Sequence, residues 1–217
     1  MFIGHFAVGF AAKRFAPKAS LGPLLAAPLF LDMLWPVFMA LGIEHARIQP
    51  GITAVEPMDF YDYPYSHSLV TALLWSGLGA GLYYAWRRDR AAAAVIAVGI
   101  FSHWVLDWVS HRPDMPLFPG GTARVGLELW RSVPATLVVE VALFIGGVAL
   151  YARSTRALDR GGSLGFWSLV GFLAVSYVLN FLSPPPPSIR AVIIVGFVAW
   201  LFLPWAWWFD RHRAART

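Results

Sequence analysis

Six apolar runs, 21–43, 68–86, 91–109, 133–152, 164–182 and 191–209, are each long enough to cross the hydrocarbon core of a bilayer. That core is about 30 Å thick and takes roughly 20 helical residues at about 1.5 Å each. The chain is therefore expected to be all-α, a polytopic transmembrane helical bundle of six spans, with residues 1–217 forming one integral-membrane helical domain. Composition agrees. Hydrophobic residues make up 58% and charged residues 13%, where soluble chains carry about 45–50% and about 25%. Eleven Trp, sixteen Phe and seven Tyr suit aromatic belts at the two interfaces of a bilayer. Intrinsic disorder and a soluble single-core enzyme are both excluded. With no cysteine there is no disulfide, no thiolate nucleophile and no Cys-ligated zinc, so any metal falls to His, Asp and Glu.

A shorter apolar stretch, 2–12, precedes the first span. Its basic residues, Lys13, Arg14 and Lys18, follow the apolar part, the reverse of a cleavable signal peptide. It is expected to be a short membrane-inserted helix. Twelve of the seventeen Lys and Arg lie before span 1, between spans 2 and 3, between spans 4 and 5, and after span 6. The positive-inside rule assigns that side to the cytoplasm of a bacterial inner membrane, with both termini cytoplasmic unless the inserted helix at 2–15 starts outside. The net charge of +5 forms no single basic stripe, so the expected partner is membrane lipid and no nucleic acid. The outer connections, 44–67 and 110–132, are long and rich in Pro and Tyr. Residues 184–187, four prolines, read as a stiff outer spacer. Oligomeric state is not fixed by the sequence.

Ionisable groups inside spans are costly, so each one marks a candidate site. Span 1 carries Asp32, span 3 His103 and Asp107, and span 4 Glu140; His67 begins span 2, His111 closes span 3, and His5 lies in the N-terminal stretch. Counted from the cytoplasmic ends, Asp32 is about 18 Å up and His103 and Glu140 about 20 Å. Asp107 is about 26 Å up, and His67 and His111 are near 30 Å. Three spans thus place an ionisable group at one level. His5 joins that layer if 2–15 is a short helix running down to Lys13.

In Ser102-His103-Trp104-Val105-Leu106-Asp107, the His and Asp four apart share a helix face and can grip one ion. His111 is about 12 Å further along a straight helix, which suits a second ion or a substrate anion at the mouth. Pro113 disfavours helix at Arg112, so the helix should end near His111. In Tyr65-Ser66-His67-Ser68, Ser66 reads as an N-cap after Pro64, placing His67 in the first helical turn. Asp59, Tyr61, Asp62, Tyr63 and Tyr65 form an acidic aromatic rim. Plainer readings compete: a His–Asp pair that only hydrogen-bonds between spans, Glu140 as an acid bonded to Asn180, a structural His5, and His45 and His212 as surface residues. Glu44 reads as a loop residue, and Asp114 as a loop residue that can orient His111.

At Gly4-His5, Asp32, Ser66-His67-Ser68 and Ser102-His103…Asp107…His111-Arg112-Pro113-Asp114 the chain resembles the bacterial family of membrane-bound metal-dependent hydrolases (YdjM-like). The likeness by motif covers roughly residues 1–120; the last spans match in hydropathy alone. That family distantly resembles zinc-dependent phospholipase C. The resemblance implies His5, Asp32, His67, His103, Asp107 and His111 as metal ligands. The phospholipases have a further His-x-x-x-Glu pair, whereas Thr136 stands four residues before Glu140. One or two divalent ions, zinc first among them, are therefore expected, with Glu140 a further candidate ligand.

The expected function is a membrane-embedded hydrolase acting on a lipid or lipid-linked phosphoester, or a related ester, from the outer leaflet. Asp32, His67 and Asp107 are its candidate catalytic residues, and Arg112, Arg124 or Arg131 would hold an anionic headgroup. A divalent-metal (zinc) transporter and a non-catalytic membrane scaffold are the alternatives. The transporter is disfavoured because no second intramembrane His-x-x-x-Asp pair exists.

Overall fold

The structure, a computed structural model, describes residues 1–216. Its helices are α1 (Ile3–Ala12), α2 (Leu21–Ala40), the single turn α3 (Pro64–His67), α4 (Leu69–Arg87), α5 (Arg90–Ser110), α6 (Val133–Ser154), α7 (Arg160–Leu182), α8 (Ile189–Val198) and α9 (Phe202–Asp210). Three two-stranded antiparallel ribbons join them: β1 (His45–Ile48) with β2 (Met58–Asp62), β3 (Met115–Pro116) with β4 (Arg124–Val125), and β5 (Thr155–Ala157) with β6 (Arg213–Ala215). Five of these helices begin where a short polar side chain satisfies a free backbone amide. Ser68, Asp89, Ser132, Asp159 and Ser188 each accept a bond from the amide three residues on.

Among the described residues, five stretches are long and apolar enough to span: Leu21–Ala40, Arg90–Ser110, Val133–Ser154, Arg160–Leu182 and Ile189–Asp210. The second expected span, α4, has 19 residues but is less apolar, because Thr71, Ser76, three glycines and two tyrosines dilute its leucines. It still presents Leu74, Leu78 and Leu82 outward and packs along α5. The last expected span is not one regular helix. It passes through a 3₁₀ turn at Ala199–Leu201, where Pro204 has no N–H to offer the Trp200 carbonyl.

The short N-terminal helix turns out to be the centre of the bundle. α1 packs against α2, α5, α6 and α7, and eight of its ten residues are buried. Two glycines permit that approach. A Cβ at Gly9 would lie 2.9 Å from the Leu25 Cα, and one at Gly147 would lie 2.3 Å from the Ala7 carbonyl oxygen. Small residues of this kind let membrane helices pack backbone to backbone.

At one end of α1, the Met1 nitrogen donates to Asp107 at 2.5 Å. At the other, Lys13 is buried and donates to Asp210 and to the Ala19 carbonyl, both at 2.8 Å. Tyr151 Oη and the Leu21 amide complete the shell of Asp210, at 2.6 and 2.9 Å. The β5–β6 ribbon closes this same end. Of the two placements expected for the first residues, the arrangement matches the short inserted helix that starts at the far side: Met1 sits in the level of Asp107, and residues 213–215 sit at the opposite end. A helix of ten residues rises only about 15 Å, so α1 joins the site layer to one face of the bundle without crossing it.

Candidate metal centre

Asp107 is the hub. It projects from α5, buried, with its two oxygens facing different partners. Oδ1 lies 3.0 Å from His5 Nε2 on α1. Oδ2 lies 3.0 Å from His103 Nε2 one turn earlier, 3.8 Å from His67 Nε2 and 4.0 Å from His111 Nε2. Asp32 of α2 completes the group, its Oδ1 3.5 Å from His67 Nε2 and 3.6 Å from His103 Nε2. Two overlapping sets have metal-binding spacing: His5, His103 and Asp107, and Asp32, His67 and His103. The rings of His5 and His103 stack with centroids 3.9 Å apart. The shared depth of Asp32 and His103 read from the sequence is thus a real meeting, joined by His5 because α1 runs down from this level.

The outer nitrogens of three histidines are held by groups that can only accept, or have been made to accept. His103 Nδ1 donates to the Pro28 carbonyl at 2.7 Å. His111 Nδ1 donates to the Asp114 carboxylate at 3.0 Å. Ser66 Oγ donates to Glu44 Oε2 at 2.6 Å, which leaves it to accept from His67 Nδ1 at 2.6 Å. In the neutral rings all three Nε2 lone pairs therefore point at Asp107 and Asp32. His67 Nε2 and His103 Nε2 are 3.2 Å apart. The Met1 nitrogen meets Asp107 only at Oδ1; on the Oδ2 side, lone pairs and carboxylate oxygens at this range repel one another unless a proton or a cation lies among them. Ligating histidines are held in this way by outer acceptors. The buried His5 Nδ1 has no hydrogen-bond partner.

His67 arrives by a different local structure from the one its sequence suggested. Ser66 is not the cap of the span. Pro64 opens the separate turn α3, His67 ends it, and Ser68 caps α4. Ser66 is diverted because Glu44, buried, takes its hydroxyl together with the Tyr65 and Ser66 amides. His111 also escapes the straight-helix spacing. It stands at the C-cap with extended backbone, so its ring turns back to Asp107. Tyr63 lies over both, donating to Asp114 at 3.1 Å, and burial beside that carboxylate raises its phenol well above the usual range.

Glu140 is at the edge of this group. Its Oε2 accepts the Phe2 and Gly4 amides at 2.8 and 3.2 Å, so it caps the start of α1 and does not bond to Asn180. The three arginines expected to hold an anion are engaged elsewhere. Arg112 pairs with Asp59 and Asp114, Arg131 with Glu128, and Arg124 donates to the Gly121 carbonyl. His45 and His212 form exposed pairs with Asp62 and Asp159, as surface residues should.

A cavity of about 1050 Å³ opens onto Asp32, His67, Asp107, His111 and Glu140. Asp32 is the carboxylate most open to it, with a side chain 48% exposed against 4% for Asp107. The loop that covers the cavity contributes Glu56, a residue the sequence did not single out. Burial pushes its carboxyl up to about 7, against the neighbouring His111. No Lys or Arg is among the residues that line the cavity.

The sequence model of the YdjM inner membrane protein family matches residues 64–186, over half of the chain. The matched segment holds His67, His103, Asp107, His111 and Glu140; His5 and Asp32 lie before it. No curated protein and no solved structure is similar enough to match.

Proposed function

The chain belongs to the YdjM inner membrane protein family, and we propose that it is a metal-dependent hydrolase of a lipid or lipid-linked phosphoester, or a related ester. One observation carries the reading. The Nε2 atoms of His67 and His103, each with Nδ1 committed to an outer acceptor, face one another at 3.2 Å beside two carboxylates. A proton on His103 would satisfy its contact with Asp107 but leaves His67 and Asp32 opposed. One or two divalent ions, zinc by donor type, satisfy the whole group.

His67, His103, Asp107 and Asp32 would hold the first ion, with His5 and His111 at its flanks and Glu140 anchoring α1 beside them. The chemistry such an ion supplies is Lewis acidity: activation of water near neutral pH and polarisation of a phosphoryl or carbonyl oxygen. Asp32, open to the cavity, would take a proton from an attacking water. Asp107 would orient His5 and His103, and His111 would meet a leaving group or a phosphoryl oxygen. Buried aromatic residues, Phe10, Phe166 and Phe209, fill the bundle between the cluster and the Lys13–Asp210 end, which supports a one-sided pocket over a transport path.

The test is the metal content of the purified protein, measured with phosphodiester turnover and with zinc flux in proteoliposomes. About one or two zinc ions per chain are expected, with His103→Ala losing both metal and turnover. A metal-free protein would sink the reading in favour of a scaffold. Zinc flux without turnover would replace it with the transporter.

A further inference from the structure

The cavity at the cluster does not end there. It extends along α2 and past Tyr177 and Phe181 of α7 to Val192 and Val195 of α8. These two walls belong to helices that are consecutive in the chain but do not pack as a pair. α7 lies against α9 and α1, whereas α8 lies against α2 and β1. Between them run the four prolines 184–187. A polyproline segment rises about 3.1 Å per residue, roughly 12 Å here, and cannot fold back into a tight turn. α8 buries none of its residues within the protein. Leu182 at the end of α7 is 75% exposed and Val195 of α8 is 66% exposed. The gap between the two helices is thus a side opening, at the depth of spanning segments, into the same cavity that Asp32 faces.

Its polarity is graded. Asp32, Glu56, His67 and Asp107 gather at one end, while the α8 wall is alanine, valine and glycine. A soluble ester would gain nothing from that wall; an amphiphile matches both ends. We infer that the cleft between α7 and α8, held open by prolines 184–187, admits the apolar chain of one membrane lipid whose polar group rests at the Asp32 end. This inference rests on the reading of the cluster as a site acting on a lipid ester, and it assigns the substrate's tail to α7 and α8.

The experiment uses the full chain in vesicles of phosphatidylethanolamine and phosphatidylglycerol that contain a phosphatidylethanolamine with a diazirine in its acyl chain. After irradiation, adducts are mapped by residue and metal content is measured on the same sample. Phe6 decides the outcome, because it lines the cavity yet is only 3% exposed, out of reach of lipid on the outside of the bundle. Labelling of Phe6 is expected, falling at least several-fold in Val195→Trp or Val192→Trp, which fill the cleft. Labelling of Leu74 on the outer face of α4 should persist in both and confirms that the variants are inserted and folded. Adducts on Leu74 with none on Phe6 would overturn the portal, as would full Phe6 labelling in both tryptophan variants. Phe6 labelling in a protein that binds no metal would uphold the portal while removing the hydrolase reading. Stoichiometric metal with an unlabelled Phe6 would do the opposite.

Discussion

His67 is held by a relay of two residues, and its strength as a ligand depends on both. Glu44 draws the Ser66 proton, so Ser66 Oγ must accept from His67 Nδ1 and Nε2 is left with its lone pair inward. Removing such an outer partner typically costs about 10–100-fold in metal affinity without removing a ligand. Ser66→Ala and Glu44→Gln are accordingly expected to weaken zinc binding by about 10–100-fold, in competition with a chromogenic chelator, while retaining full stoichiometry at saturating zinc. His67→Ala should lose stoichiometry. Unchanged affinity in both outer variants would show that the relay orients nothing. Asp32, His103 and Asp107 were legible in the sequence because a charge inside an apolar run has no cheap explanation. Glu44 was not, since a carboxylate in a polar connection is ordinary until folding buries it. Lys13 and Asp210 were missed for the same reason. Each stands beside the end of an apolar run, where a charge is ordinary, and only the descent of α1 brings them together at 2.8 Å.

α1 shows how far hydropathy can mislead about an element's place. Ten residues are too few to span, and nothing in their composition distinguishes a helix lying at the edge from one surrounded by others. The decisive signal is a pair of small residues on α1 and α6 that acquires meaning only in contact. A Cβ on Gly147 would meet the Ala7 backbone at 2.3 to 2.8 Å, whereas one on Gly146 would meet nothing within 4 Å. Gly147→Ala must therefore push α1 away from α6, at a cost of about 1–3 kcal/mol for overpacking. Gly146→Ala on the same helix should be neutral or slightly stabilising. Thermal or denaturant unfolding in detergent reads the difference. Because α1 carries His5, Gly147→Ala should also lower zinc affinity, and equal stability of the two variants would refute the central position of α1. The three ribbons escaped the sequence reading altogether. Their strands are two to five residues long, too short for alternation to register.

At the scale of the whole molecule, the remaining question is which side of the membrane the cavity faces, and the charge distribution supplies a prediction. The end that carries the α4–α5 and α6–α7 connections and the β5–β6 ribbon holds most of the twelve basic residues, including Arg87, Arg88, Arg156 and Arg211. The end with the cluster holds fewer, and three of them are paired: Arg47 and Arg112 with Asp59, Arg131 with Glu128. Applied to this asymmetry, the positive-inside rule predicts a cavity that faces away from the cytoplasm. The absence of native cysteine allows a direct check with single introduced thiols at uncharged, exposed positions, so that the charge balance itself is left intact. Tyr61 and Leu127 lie at the cluster end and are 49% and 57% exposed; Leu158 lies between α6 and α7 at the other end and is 57% exposed. In intact spheroplasts a membrane-impermeant thiol reagent is expected to label Tyr61→Cys and Leu127→Cys and to spare Leu158→Cys until the membrane is permeabilised. The reverse pattern would turn the pocket to the cytoplasm. A lipid substrate would then have to come from the inner leaflet, although the metal centre and the α7–α8 cleft would be unaffected.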